Sequence, residues 1–123
     1  PRSTLFPYTT LFRSGNEEEY AVSAICELEV LYGVHLSGSA TLVRAWESIL
    51  RGRFPVLPFD TACAGRYATL QADFVRAGRT RPTFDLMIAA TALVHNLELA
   101  TCNPRDFDGI PGLRIADWNV TTG

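Results

Sequence analysis

Three carboxylates fall where a fold could bring them together. Glu29 lies one turn into a helical stretch that follows the strand-like segment 20–24 (YAVSA). Asp85 lies in the first turn of a strongly apolar helical stretch, and Asp106 follows the strand-like segment 97–101 (LELAT), with Asn103 in the same loop. In an open parallel sheet, ligands bind beyond the carboxyl ends of the strands, so these positions would share one edge. Carboxylates without His or Cys at ligand spacing suit a hard cation such as Mg²⁺ or Mn²⁺ rather than zinc. Such an ion polarises a phosphoryl oxygen and lowers the pKa of bound water, which points to metal-assisted hydrolysis. Each acid also has a purely structural role open to it. The helix dipole alone favours Asp85, Asp106 can stabilise a turn, and Glu29 can be a solvated helix residue with Glu27 as a competitor. Asp60 reads as a helix N-cap, and His35 and His95 are isolated near helix ends. Neither a G-x-S-x-G nor a phosphate-loop sequence occurs.

The elements that must position these residues alternate between short strands and helices. After 20–24, apolar positions Ile25, Leu28, Leu31 and Tyr32 recur at helical spacing, and Gly33 is expected to end or weaken that helix. In "SGSATLVRAWESILRGR", Ser39 can cap a helix whose stripe is Leu42, Val43, Trp46, Ile49 and Leu50. "FPVLPF" reads as a short buried strand. A long helix is expected from Thr61 to about Ala77, with Ala64, Tyr67, Ala68, Gln71, Phe74 and Val75 on one side and Gly78 closing it. "TFDLMIAATALVHN" is apolar nearly all round and should lie between layers, with Thr83 as its cap. "LRIAD" is a final short strand. The alternation indicates an α/β sandwich with a mainly parallel sheet.

Length and composition fit one globular domain: 123 residues, 47% of them hydrophobic and 20% charged. No apolar run is long enough to span a membrane. Cys26, Cys63 and Cys102 show no metal spacing and read as free thiols of a reducing cytoplasm. All basic side chains are arginine, and the net charge of −2 argues against general nucleic-acid affinity. Local guanidinium groups such as Arg76, Arg79 and Arg81 could still contact phosphate.

Two motifs carry a resemblance. "SAICELEVLYG" resembles the S-A-I-T-x-x-E-L-x-Y-G segment of PIN-domain ribonucleases of the VapC toxin type. The family's glutamate falls on Glu29, while Cys26 stands in place of Thr and Val30 in place of Leu. The stretch 84–118, "FDLMIAATALVHNLELATCNPRDFDGIPGLRIADW", resembles the family's D-x-x-I-A-A-x-A, T-x-N-x-x-D-F and G-L-x-x-x-x-W. The resemblance implies a PIN-like three-layer α/β/α sandwich. It also implies a Mg²⁺-dependent (or Mn²⁺-dependent) endoribonuclease toxin that hydrolyses RNA phosphodiester bonds, with a cognate antitoxin and a homodimeric state. By motif position, Glu29, Asp85 and Asp106 carry over as metal-binding acids and Asn103 as their polar neighbour.

The resemblance runs from about Gly15 onward and lacks one part. The family opens on a strand ending in D-T-N, whose Asp is a main metal ligand, and no such motif occurs here. The first fourteen residues, "PRSTLFPYTTLFRS", contain no acid and repeat T-L-F. Their reverse translation resembles a common short-read sequencing adapter from end to end. Residues 1–14 are therefore expected to be adapter-derived, and 15–123 a PIN domain without its native first strand and helix. On that expectation the chain's catalysis is impaired, its exposed sheet favours aggregation, and Pro7 makes the opening segment a poor central strand. A non-catalytic fragment, at most an antitoxin-binding or dimerisation module, is the alternative.

Overall fold

The computed structural model describes residues 10–14, 19–47 and 52–118. The elements follow in the order β1 (Leu11–Ser14), β2 (Glu19–Ser23), α1 (Ala24–Ser37), α2 (Ala40–Ala45), β3 (Val56–Leu57), α3 (Thr61–Arg76), α4 (Thr83–Val94), β4 (Glu98–Thr101), a 3-10 turn (Pro104–Phe107) and β5 (Ile115–Asp117). The five strands form one sheet in the order β3-β2-β1-β4-β5. Strands β2 and β3 pair in parallel, as do β4 and β5, whereas β1 pairs antiparallel with both β2 and β4. Four strands thus share one direction and the middle strand opposes them.

Successive residues of a strand face opposite sides of the sheet, and β1 shows both sides filled. Leu11 and Phe12 are each 1% exposed. Phe12 packs with Ile25, Leu70, Phe74, Leu86 and Leu99, in the layer that holds α3 and α4. Leu11 packs with Val22, Val30, Val34 and Trp46, in the layer that holds α1 and α2. The result is the expected three-layer sandwich. Next along β1, Arg13 sits opposite Glu98, and its Nε donates to Glu98 Oε1 at 2.7 Å. Hence the middle strand comes from the segment expected to lie outside the domain. Pro7 falls outside the described residues.

Several local expectations shift. Helix α1 runs through Gly33 and ends at Gly38, which adopts φ 63 and returns its N–H to the Val34 carbonyl. A left-handed residue that satisfies an orphan carbonyl stops a helix; a glycine in helical geometry only weakens one. Helix α2 is described from Ala40 to Ala45, and Ile49 and Leu50 of its expected stripe lie outside the described residues, as does the side chain of Leu42. Helix α3 buries Cys63, Leu70 and Phe74, while Ala64, Ala68 and Val75 face outward. Phe74 of the expected stripe is buried and Tyr67 and Gln71 are half-buried, so the stripe holds at those positions, while Cys63 and Leu70 take the buried places expected for Ala64, Ala68 and Val75. Helix α4 takes Pro82, not Thr83, at its cap position, without a side-chain cap. Its Leu86, Ala89, Ala90 and Ala92 are fully buried, as its composition requires.

Candidate functional site

Each acid is held at the carboxyl edge of the sheet by a nearby structural device. Ser23 ends β2 and starts α1, and its buried Oγ accepts from the Ile25 N–H at 3.0 Å. That cap fixes the helix phase. Ile25 and Cys26 then pack toward the α3–α4 layer, and Glu29, one turn further, follows the same face. Asp85 sits half-buried in the first turn of α4, beside the buried Leu86. Asp106 sits exposed in the 3-10 turn, where its N–H donates to the Asn103 carbonyl at 3.1 Å and Phe107 anchors the turn in the core. Asn103 is exposed, and its own N–H donates to Thr101 Oγ1 at 3.0 Å.

Asp85 is the electrostatic centre. Burial pushes its carboxyl up to about 6, and the charges of Asp106 and Glu29 add to that rise while Arg81 opposes it. Partial burial also raises Glu29, although much of that side chain remains open to solvent. Among the sequence candidates, Glu29 rather than Glu27 is the helix acid whose charge reaches Asp85. Among the described residues, however, no three His, Cys, Asp or Glu side chains close into a group able to hold an ion. Glu29 and Asp106 therefore flank Asp85 through charge, short of a joined three-carboxylate cluster. The donor set is nonetheless all oxygen. A divalent cation would relieve the repulsion that lifts Asp85, so the residues suit a hard cation in chemistry.

Four further residues belong to this edge. Thr101 is 1% exposed, and its hydroxyl accepts from Thr10 Oγ1 at 3.3 Å as well as from Asn103. Thr10 thus occupies the sheet's middle position at the carboxyl edge, where the family resemblance places an aspartate. Asp117 ends β5 opposite Thr101, and strand alternation puts both on the α4 side. Only its place at the end of a strand signalled it in sequence. Arg81 donates Nη1 to the Asp106 carbonyl at 3.3 Å and Nη2 to the Asp108 carbonyl, with its guanidinium 5.1 Å from the Phe74 ring centre. Arg79 lies over the same ring at 5.3 Å, and Arg76 pairs with Asp73.

The other sequence candidates have structural duties. Asp60 caps α3 by accepting from the Cys63 N–H at 3.0 Å, which lowers its pKa. His35 lines a 390 Å³ cleft between α1 and α2, together with Leu31, Val34, Val43 and Trp46. His95 ends α4 in an exposed position. No helix among the described residues is long and apolar enough to cross a membrane.

Comparison with known proteins identifies the family. The PIN domain family model matches residues 9–113. The tRNA(fMet)-specific endonuclease VapC of Shigella flexneri is 32% identical over 104 residues, covering 85% of this chain and 79% of the relative. Its namesake from Salmonella typhimurium is 33% identical over 103 residues, covering 84% and 78%. Among solved structures, DNA-bound VapBC from Salmonella typhimurium superposes with a TM-score of 0.70 at 33% identity, covering 80% of this chain and 74% of that one. VapBC-1 from nontypeable Haemophilus influenzae superposes at 0.73 with 29% identity, covering 87% and 79%.

Proposed function

This chain belongs to the PIN-domain family as a VapC-type ribonuclease, and we propose that its hydrolysis of RNA depends on Mg²⁺ or Mn²⁺ at the Asp85 edge. What supports the reading is the placement of Asp85, in the first turn of α4, within reach of the charges of Asp106 in the 3-10 turn and Glu29 in α1. Without a cation, that arrangement only stores repulsion. Glu29, Asp85 and Asp106 are the residues that would hold the ion, with Asn103 beside them. When bound, the ion would polarise a phosphoryl oxygen and generate the attacking hydroxide. Asp85 must be ionised to serve as a ligand, so it must give up its proton before or on binding. The buried Thr101 hydroxyl, by accepting from Asn103 N–H, fixes where the loop bearing Asp106 leaves the sheet.

A cognate antitoxin is the proposed partner and the cytoplasm the proposed setting. The solved neighbours include a toxin–antitoxin complex from Klebsiella pneumoniae, and Leu28, Tyr32 and Leu36 form an exposed apolar row along α1. A homodimer is proposed on the family resemblance alone. The test is cleavage of a single-stranded RNA with Mg²⁺ and with chelator. Asp85→Asn should lower the Mg²⁺-dependent rate by at least about a hundredfold, a loss in the range attributed to electrostatic stabilisers. Unchanged cleavage by that variant would refute the site. A second reading, a non-catalytic module that only binds its antitoxin, is favoured by Thr10 standing at the edge and by the unclosed acidic cluster. Chelator-insensitive absence of cleavage in a folded chain would support it.

A further inference from the structure

Arg81 spans three elements that the sequence keeps apart. Its guanidinium packs on Phe74 of α3, it stands four residues before Asp85, and it reaches across 25 positions to the turn bearing Asp106. Both contacts to that turn are to backbone carbonyls, those of Asp106 and Asp108. Gly109, at φ +76, makes room: a Cβ there would lie 3.2 Å from Arg81 Nη2. Burial of Phe107 fixes the depth of the turn. A planar fork donating to two carbonyls fixes its orientation, because the donors of a guanidinium have set directions.

We propose that Arg81 is a positioning residue that clasps the Pro104–Phe107 turn against α4 and so preorganises Asp85 and Asp106 for a divalent cation. The inference rests on the metal-dependent reading above. It has a distinguishing sign. Removing a positive charge near a cation site should strengthen cation binding by Coulomb's law, whereas loss of a clasp should weaken it.

The experiment measures Mn²⁺ affinity by electron paramagnetic resonance on the full chain and on Arg81→Gln, Arg81→Lys and Arg79→Gln. Both Arg81 variants should bind about tenfold more weakly, the size expected for residues that orient metal ligands. Lysine keeps the charge but lacks the fork, so it should not rescue. Arg79 Nη2 also approaches Gly109 but, unlike Arg81, makes no hydrogen bond to the Asp106 or Asp108 carbonyl. Arg79→Gln therefore removes the same charge from the same ring and leaves the clasp in place, and should bind Mn²⁺ as tightly or slightly more tightly. In RNA cleavage the Arg81 variants should lose kcat with little change in KM. Arg81→Gln binding Mn²⁺ as well as the parent would overturn the proposal, as would a raised KM with intact kcat. Amide exchange supplies an independent arm. Arg81→Lys should speed exchange at Asp106 and Asp108 while α3 and α4 stay protected, and unchanged exchange there would overturn the clasp. If the parent chain binds no Mn²⁺, the metal reading fails, and the exchange data still decide the clasp.

Discussion

Asp85 costs the free protein stability whenever it is charged. Its folded pKa, about 6, lies above the usual carboxylate range. The folded state therefore holds the proton over a window where the unfolded chain has released it. Stability is highest below the unfolded pKa and falls as pH rises to about 6. The upper bound of about 3 kcal/mol shrinks to about 1–2 kcal/mol because the side chain still meets water. Urea unfolding should thus show Asp85→Asn gaining about 1–2 kcal/mol over the parent at neutral pH without metal, and no gain near pH 4. A neutral-pH loss of stability would contradict the electrostatics. Glu29→Gln should weaken Mn²⁺ binding by about tenfold while Glu27→Gln leaves it unchanged, as read by metal titration. Glu29 and Asp106 were visible in the sequence because they follow predicted strand ends, Asp85 because it opens the apolar helix, and the family motifs picked out all three. Arg81 was visible only as a local positive charge. Its bonds go to backbone carbonyls far along the chain, and no side-chain type at positions 106 or 108 records them.

Strand β1 determines whether the sheet holds together. It is four residues long, yet it pairs on both edges and buries Leu11 and Phe12 on opposite faces. Phe12→Ala should cost about 3–5 kcal/mol in thermal or urea unfolding, as for other large-to-small core changes. A loss below about 1 kcal/mol would mean that this strand is not part of the stable sheet. Because β1 runs against its neighbours, its first end meets their carboxyl ends, and Thr10 touches Thr101 there. Thr10→Asp should therefore add an oxygen ligand at the acidic edge and tighten Mn²⁺ binding, measured against the parent by the same titration. Unchanged affinity would place that edge away from the ion. The sequence revealed β2, β3, β4, β5 and the bounds of α3 through turn chemistry and periodicity, although β3 was expected to be buried and its Val56 is exposed. On α3 it placed Tyr67, Gln71 and Phe74 on the inner side correctly but added Ala64, Ala68 and Val75, which are exposed, and passed over Cys63 and Leu70, which are buried. It also stopped α1 at Gly33, because a glycine's backbone angle is not written in its identity.

The molecule as a whole is two cores divided by one sheet, with the acids gathered at the edge where α1, α4 and the 3-10 turn meet. This architecture was legible because the apolar helix α4, at "IAATA", could only be an inner layer. The middle strand itself was not expected, because residues 1–14 were assigned outside the domain, and four residues that bury Leu11 and Phe12 on opposite faces carry no alternation to announce a strand. The metal-dependent reading requires that Asp85 exchange its proton for a cation. Calorimetric titration with Mn²⁺ at about pH 5.5, in buffers of differing ionisation enthalpy, measures that exchange directly. The parent should release a substantial fraction of one proton per ion bound near pH 5.5 and almost none at about pH 8, and Asp85→Asn should lose that release together with most of the affinity. Tight binding without proton release, or undiminished in Asp85→Asn, would contradict an Asp85-centred metal site.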